Sequence, residues 1–143
     1  MPIHQLSVFL ENRAGQLAEI TRILAENRID MRAISIADAA DYGVLRLIVD
    51  DSEKATSILL EKGFILSMTP VLAVSVPDAP GGLAPALAAL AENNVDVEYM
   101  YSLFTHREGR AYMVFRVPDE EKFRALMAAS GIPVATKEEL GLK

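Results

Sequence analysis

Two glycine-bearing stretches, Glu11-Asn12-Arg13-Ala14-Gly15-Gln16-Leu17 and Asp78-Ala79-Pro80-Gly81-Gly82-Leu83, each lie between a run of β-formers and a run with helical spacing. Glycine at such a junction lets a ligand approach backbone with no Cβ in the way. The helix mouth that follows offers N–H groups and partial positive charge, which suit a carboxylate. Asn12 and Asp78 carry oxygens that can accept from an α-ammonium group. Arg13 is the one cation at either loop, and its fork matches a carboxylate. Together these groups would read both ends of an amino acid. The same residues also serve as plain turn chemistry. Neither stretch contains G-x-x-x-x-G-K-[ST] or G-x-G-x-x-G, which excludes a nucleotide site built on these glycines.

Other residues offer weaker chemistry. Pro2 would be a secondary amine able to act as a general base if Met1 were removed, as in a tautomerase. The second half of the chain has no counterpart of it. His4 and His106 each lack a partner at metal-ligand spacing. Asp38 and Asp41 share one loop, where solvation is a simpler role than metal binding. With no cysteine there is neither a disulfide framework nor a thiolate metal site. No nucleophile–base pair is legible, so the expectation is a non-enzyme that needs no cofactor.

Composition narrows the class. The chain has 143 residues, 51% of them hydrophobic, and a net charge of −6. That length allows one domain or two small ones. A half of about 60–70 residues is only marginally stable alone, so two halves should pack together or on another chain. No basic cluster interrupts the acidity, which argues against nucleic acid as the main partner. The first residues lack the charged and apolar regions of a secretory signal, and no apolar run is long enough to cross a bilayer. A cytoplasmic protein with no membrane partner is expected.

Periodicity predicts the elements that hold the two loops. His4–Leu10 alternates and reads as a strand. Leu17, Ile20, Ile23 and Leu24 recur at helical spacing. Arg28–Asp38 returns to strand character, with a slip of apolar phase between Ala33 and Ile34 that predicts a bulge. Val44–Val49 is a strand with Leu45, Leu47 and Val49 on one face. Asp50, Asp51 and Ser52 are N-cap candidates for a helix over Glu53–Lys62, and Gly63 suits its C′ position. Phe64–Met68 is a short fourth strand, giving the order β-α-β-β-α-β.

The order then repeats. Val71–Val76 is a strand, and a shift of 66 carries Gly15 onto Gly81, Leu17 onto Leu83 and Leu24–Asp30 onto Leu90–Asp96. Beyond a turn at Glu108-Gly109 the shift becomes 68. Leu45, Leu47 and Val49 then meet Met113, Phe115 and Val117, while Asp51, Lys54 and Gly63 meet Asp119, Lys122 and Gly131. This is an internal duplication. It predicts two α+β domains, 1–69 and 70–143. Each is expected to be ferredoxin-like, a four-stranded antiparallel sheet with two helices on one face. The joint falls at Thr69-Pro70, where Pro70 supplies stiffness. Ile48 and Val114 are apolar on the strand face opposite the core, so those faces should be covered. Thr136–Lys143 reads as a frayed tail or a short helix.

The second copy resembles the opening of an ACT domain: a strand, Asp-x-Pro-Gly-x-Leu, a helix, then Asn-x-Val/Ile-Asp/Asn-Val/Ile. Asp78, Pro80, Gly81, Leu83, Asn93, Val95, Asp96 and Val97 match it position by position. The first copy keeps Gly15, Leu17, Asn27, Ile29, Asp30 and Met31, but has Asn12 for the aspartate and Ala14 for the proline. The resemblance implies a regulatory module that binds a small ligand, usually an amino acid. It places that ligand where the loop after the first strand of one domain faces the second strand of its neighbour. Candidate ligand residues are then Asn12, Arg13, Ala14, Gly15, Gln16 and Leu17 in the first loop, and Asp78, Ala79, Pro80, Gly81, Gly82 and Leu83 in the second. Ile34, Ser35, Met100 and Tyr101 on the second strands complete the set. Alternation sends Tyr99 and Tyr101 to one face and Met100 to the other, so one site would be small and aliphatic and the other aromatic.

The chain is also similar to free-standing tandem ACT proteins such as the small regulatory subunits of acetolactate synthase. The expectation is an allosteric sensor of a free amino acid. It would be homodimeric and act on an enzyme of amino-acid metabolism. A structural subunit that mediates assembly without a ligand is the alternative.

Overall fold

The computed structural model describes residues 2–11, 13–38 and 41–143. Asn12 and the side chains of Asp38 and His106, named above as candidates, lie outside what it describes. Among the described residues four α-helices and six strands follow one another as β1 (Ile3–Glu11), α1 (Gln16–Glu26), β2 (Met31–Asp38), β3 (Tyr42–Val49), α2 (Ser52–Glu61), β4 (Leu66–Pro77), α3 (Ala84–Glu92), β5 (Tyr99–Arg107), β6 (Arg110–Arg116) and α4 (Glu120–Ala129). The chain forms two compact units. The first is His4–Thr69 with Gly141–Lys143, and the second is Pro70–Leu140 with the residues up to Ile3. Hydrogen bonding follows the order β2-β3-β1-β4 in the first unit and β4-β6-β5 in the second, with antiparallel neighbours. No helix among the described residues is long and apolar enough to cross a membrane.

In the first unit, alternate residues Leu6, Val8 and Leu10 of β1 and Leu45, Leu47 and Val49 of β3 meet Ile20, Ile23 and Leu24 of α1 and Ala55 and Leu59 of α2. Period-2 strand positions therefore share a core with period-3.6 helix positions, as amphipathic elements require. The second unit repeats this with Leu72, Val74, Val76, Phe115, Ala86, Leu90, Phe123 and Met127. Ile48 and Val114 are fully buried.

The duplication extends to single atoms. Asp51 accepts from the Lys54 N–H and Asp119 from the Lys122 N–H, so each caps its helix. The two lysines donate through Nζ to Asn27 O (2.9 Å) and Asn93 O (2.8 Å). Left-handed backbone occurs at Arg28 and at Asn94. Replacing either cap, Asp51→Ala or Asp119→Ala, should cost about 1 kcal/mol, read from denaturant melts. An effect within error at both would show that the caps do not hold these helices.

Three details depart from the sequence reading. The bulge in β2 falls between Met31 and Ala33, slightly earlier than the phase slip. The strands expected at Phe64–Met68 and Val71–Val76 form one continuous strand, β4. Pro70 does not break it, because proline and the residue before it both favour extended backbone. Its carbonyl accepts from Arg116 Nη1. The corresponding last strand of the second unit shrinks to a bridge between Val74 and Val134. Pro133 has no N–H for a ladder, and only two bonds remain, Ser75 N–H to Pro133 O and Ala135 N–H to Ala73 O. The C-terminal residues are tied down: Leu140 is buried, and the Lys143 N–H donates to Asp50 O (2.8 Å).

Candidate functional site

The Asp78–Leu83 loop roofs a cavity of about 390 Å³ within the second unit. Three segments converge on it. Ser75–Pro77, Ala79–Gly82 and Pro85 supply the loop side, Arg110 the start of β6, and Ser130 to Pro133 the turn after α4. Arg110 is half-buried and is oriented by Ser75. Its Nε donates to Ser75 Oγ (2.9 Å) and its Nη2 to Ser75 O (2.8 Å). No carboxylate pairs with Arg110 among the described residues.

Backbone geometry keeps this cavity open. Gly81 has φ +77 and so suits glycine. Gly82 lies against the Pro77 carbonyl, where an added Cβ would collide with backbone. The helix mouth offers less than the sequence suggested. The Ala84 and Ala86 N–H groups already bond to Gly81 O and Leu83 O (3.2 Å each), and Pro85 has no N–H.

The equivalent place in the first unit is a smaller cavity of about 200 Å³, lined by Phe9, Leu10, Glu11, Gln16, Asp41, Tyr42 and Gly63–Ile65. Under the duplication Phe9 stands for Ser75, Tyr42 for Arg110, and Gln16 for Gly82. The two rings pack at 6.0 Å, tilted by 48°. Gln16 is only 7% exposed, and its Oε1 accepts from the Glu11 N–H (2.6 Å). Proline occupies the position of Glu11 in the second unit and has no such N–H, so the glycine there leaves no donor unpaired. A side chain plugs in one unit what glycine leaves open in the other.

The expected residues separate into three groups. Ala79, Pro80, Gly81 and Gly82 line the larger cavity, and Gln16 lines the smaller. Arg13 lines neither; it is exposed and pairs with Glu11 (3.4 Å) and Glu19 (3.8 Å). Ala14 lies in the turn, and Gly15 caps α1 in left-handed backbone. Asp78 is exposed. Leu17 and Ile34 pack on the first core, and Leu83 and Met100 on the second. Ser35 pairs with Arg46 across β3, and Tyr101 is buried and stacked on Tyr99 at 6.4 Å. None of Ile34, Ser35, Met100 and Tyr101 lines either cavity. Pro2 and His4 are half-buried and line neither.

The sequence reading missed Arg110, Ser75, Pro85 and Ser130–Pro133. The signal for Arg110 was its place at the start of a hairpin strand that the duplication aligns with the loop. The cavity has a cation, but it is Arg110 and not Arg13.

A family model described as an ACT domain pair matches residues 1–141. Protein BT0572 from Bacteroides thetaiotaomicron is 36% identical, with a TM-score of 0.90, over 99% of this chain and 96% of that one. The regulatory subunit of aspartate kinase from Thermus thermophilus shares the fold at 17% identity and a TM-score of 0.66, over 91% of this chain and 93% of that one. The corresponding subunit from Thermus flavus does so at 18% and 0.60, over 92% of each chain. No protein of curated function matches the sequence.

Proposed function

Because the chain belongs to the ACT domain pair family, we propose that it is a regulatory protein that binds a free amino acid or a close relative of one. ACT domains are in general ligand-binding regulatory domains, typically without catalysis of their own. On this reading the protein has no catalytic role, and Pro2 only leads into β1. It works in the cytoplasm as a homodimer of chains with two ferredoxin-like domains, 1–69 and 70–143. Its partner is an enzyme of amino-acid metabolism, a reading in keeping with a fold shared with aspartate kinase regulatory subunits. The observation that carries the proposal is the open cavity beneath Gly81 and Gly82, with no carboxylate pairing with Arg110 among the described residues. Ligand that prefers one conformation of the loop would shift its population, and the partner would read that shift as linkage.

The test is a thermal-shift panel of the common amino acids and their close derivatives on protein freed of carried-over ligand. Ligand at about a hundred times its Kd should stabilise the fold by roughly 2.7 kcal/mol. Absence of any shift across the panel would leave the assembly subunit as the reading.

A further inference from the structure

We propose that the second-unit cavity takes an apolar monocarboxylate without an α-ammonium group, such as a branched 2-oxo acid, with Arg110 holding its carboxylate. This rests on the reading that the cavity binds a small molecule of amino-acid metabolism, and it names the chemical class.

The charge balance of the walls carries the argument. Arg110 is half-buried, and two of its donors are spent on Ser75, which fixes the plane of the guanidinium. The remaining Nη donors are available for charge-assisted bonds to an anion. Ser75 is 6% exposed, and because its Oγ accepts from Arg110 its own proton is free to donate. Both groups therefore call for an acceptor.

The described lining offers an ammonium no opposite charge. It contains no acidic side chain, and Asp78 is outside it. The backbone carbonyls nearby already accept: Ser75 O from Arg110, Ala79 O from Gly82, Gly81 O from Ala84, and Pro133 O from Ser75. An ammonium placed there would lose water without gaining a carboxylate partner, which is costly. Apart from the Ser130 hydroxyl, the remaining side chains of the wall are apolar. Val76, Ile132 and four prolines present hydrocarbon, and the prolines bring no N–H. The volume lies at the small end of the range for ligand pockets, about 300–1,000 Å³.

The first unit gives the contrast. Its equivalent cavity is smaller, is lined by Glu11, Asp41 and the Gln16 side chain, and has no cation among its described lining residues. The duplication has thus not kept one ligand chemistry in two places.

Titration calorimetry with 4-methyl-2-oxopentanoate and with leucine tests this on the full chain and on Arg110→Gln. We expect the oxo acid to bind at least tenfold more tightly than leucine, and to weaken at least tenfold in the variant. Ala79→Asp, which adds a carboxylate to the lining while leaving Arg110 intact, should move the preference towards leucine. An unmoved ratio there would count against the assignment. Leucine bound equally or more tightly, and dependent on Arg110, would overturn the ligand class and leave the sensor reading standing. Amino-acid binding indifferent to Arg110 would overturn the site and again leave the sensor. Silence towards both compounds, together with a silent thermal-shift panel, would remove both.

Discussion

Phe115→Ala should destabilise the protein by about 3–5 kcal/mol. Phe115 is fully buried on β6, opposite Leu72 of β4 and Met100 of β5. Its ring packs on Phe123 of α4 with centroids 5.3 Å apart and planes tilted by 45°. Truncation removes apolar contact and leaves a void beside a second rigid ring, which relaxes poorly. The melting temperature should fall by roughly 10 °C or more. Leu60→Ala, at a side chain 54% exposed, serves as the control and should stay within about 0.5 kcal/mol. Urea melts of the two variants decide the matter. Similar values would mean that the sheet does not depend on the ring pair.

Gly82→Ala should cost about 3 kcal/mol, the upper part of the range for overpacking. The added Cβ meets the backbone carbonyl of Pro77, its carbon at 2.9 Å, and no rotamer change can relieve backbone. Gly81→Ala is the companion variant. Its position has φ +77 but open space around the added carbon, so only the left-handed penalty of about 1–2 kcal/mol applies. The two should differ in function as well. Gly82→Ala must shift the loop or the Pro77 carbonyl, both of which line the cavity, and should lose ligand-induced stabilisation, whereas Gly81→Ala should keep it. If the two variants melt alike and respond alike to ligand, Gly82 is not what holds the cavity open.

Much of the fold was legible before any coordinates. The apolar periods of β1, α1 and β3 named core residues that are buried, among them Leu45, Leu47 and Leu24. Asp51 stood among three N-cap candidates, since capping is local chemistry between residues three apart, and the duplication carries it onto Asp119, which caps its own helix. The duplication was readable because both copies kept the same turn, cap and core positions. The chain divides into its two units between Thr69 and Pro70, and the two strands expected on either side are one, because the fixed φ of Pro70 fits the extended backbone of β4.

The candidate site was legible only in part, and the reason is distance along the chain. The sequence by itself determined the two glycine loops, the helices behind them and the residue-by-residue correspondence of the two copies, since these follow from local periodicity and turn chemistry. Only the tertiary structure brought Arg110 and Ile132 to the Asp78–Leu83 loop, because antiparallel pairing of β4 with β6 and the turn after α4 set that convergence. It also decided which loop stays open. A glutamine and a glycine at equivalent positions look alike in a motif. Their difference emerges only when Gln16 folds back onto the Glu11 N–H, while Gly82 lies against a proline carbonyl with no side chain to fill the space.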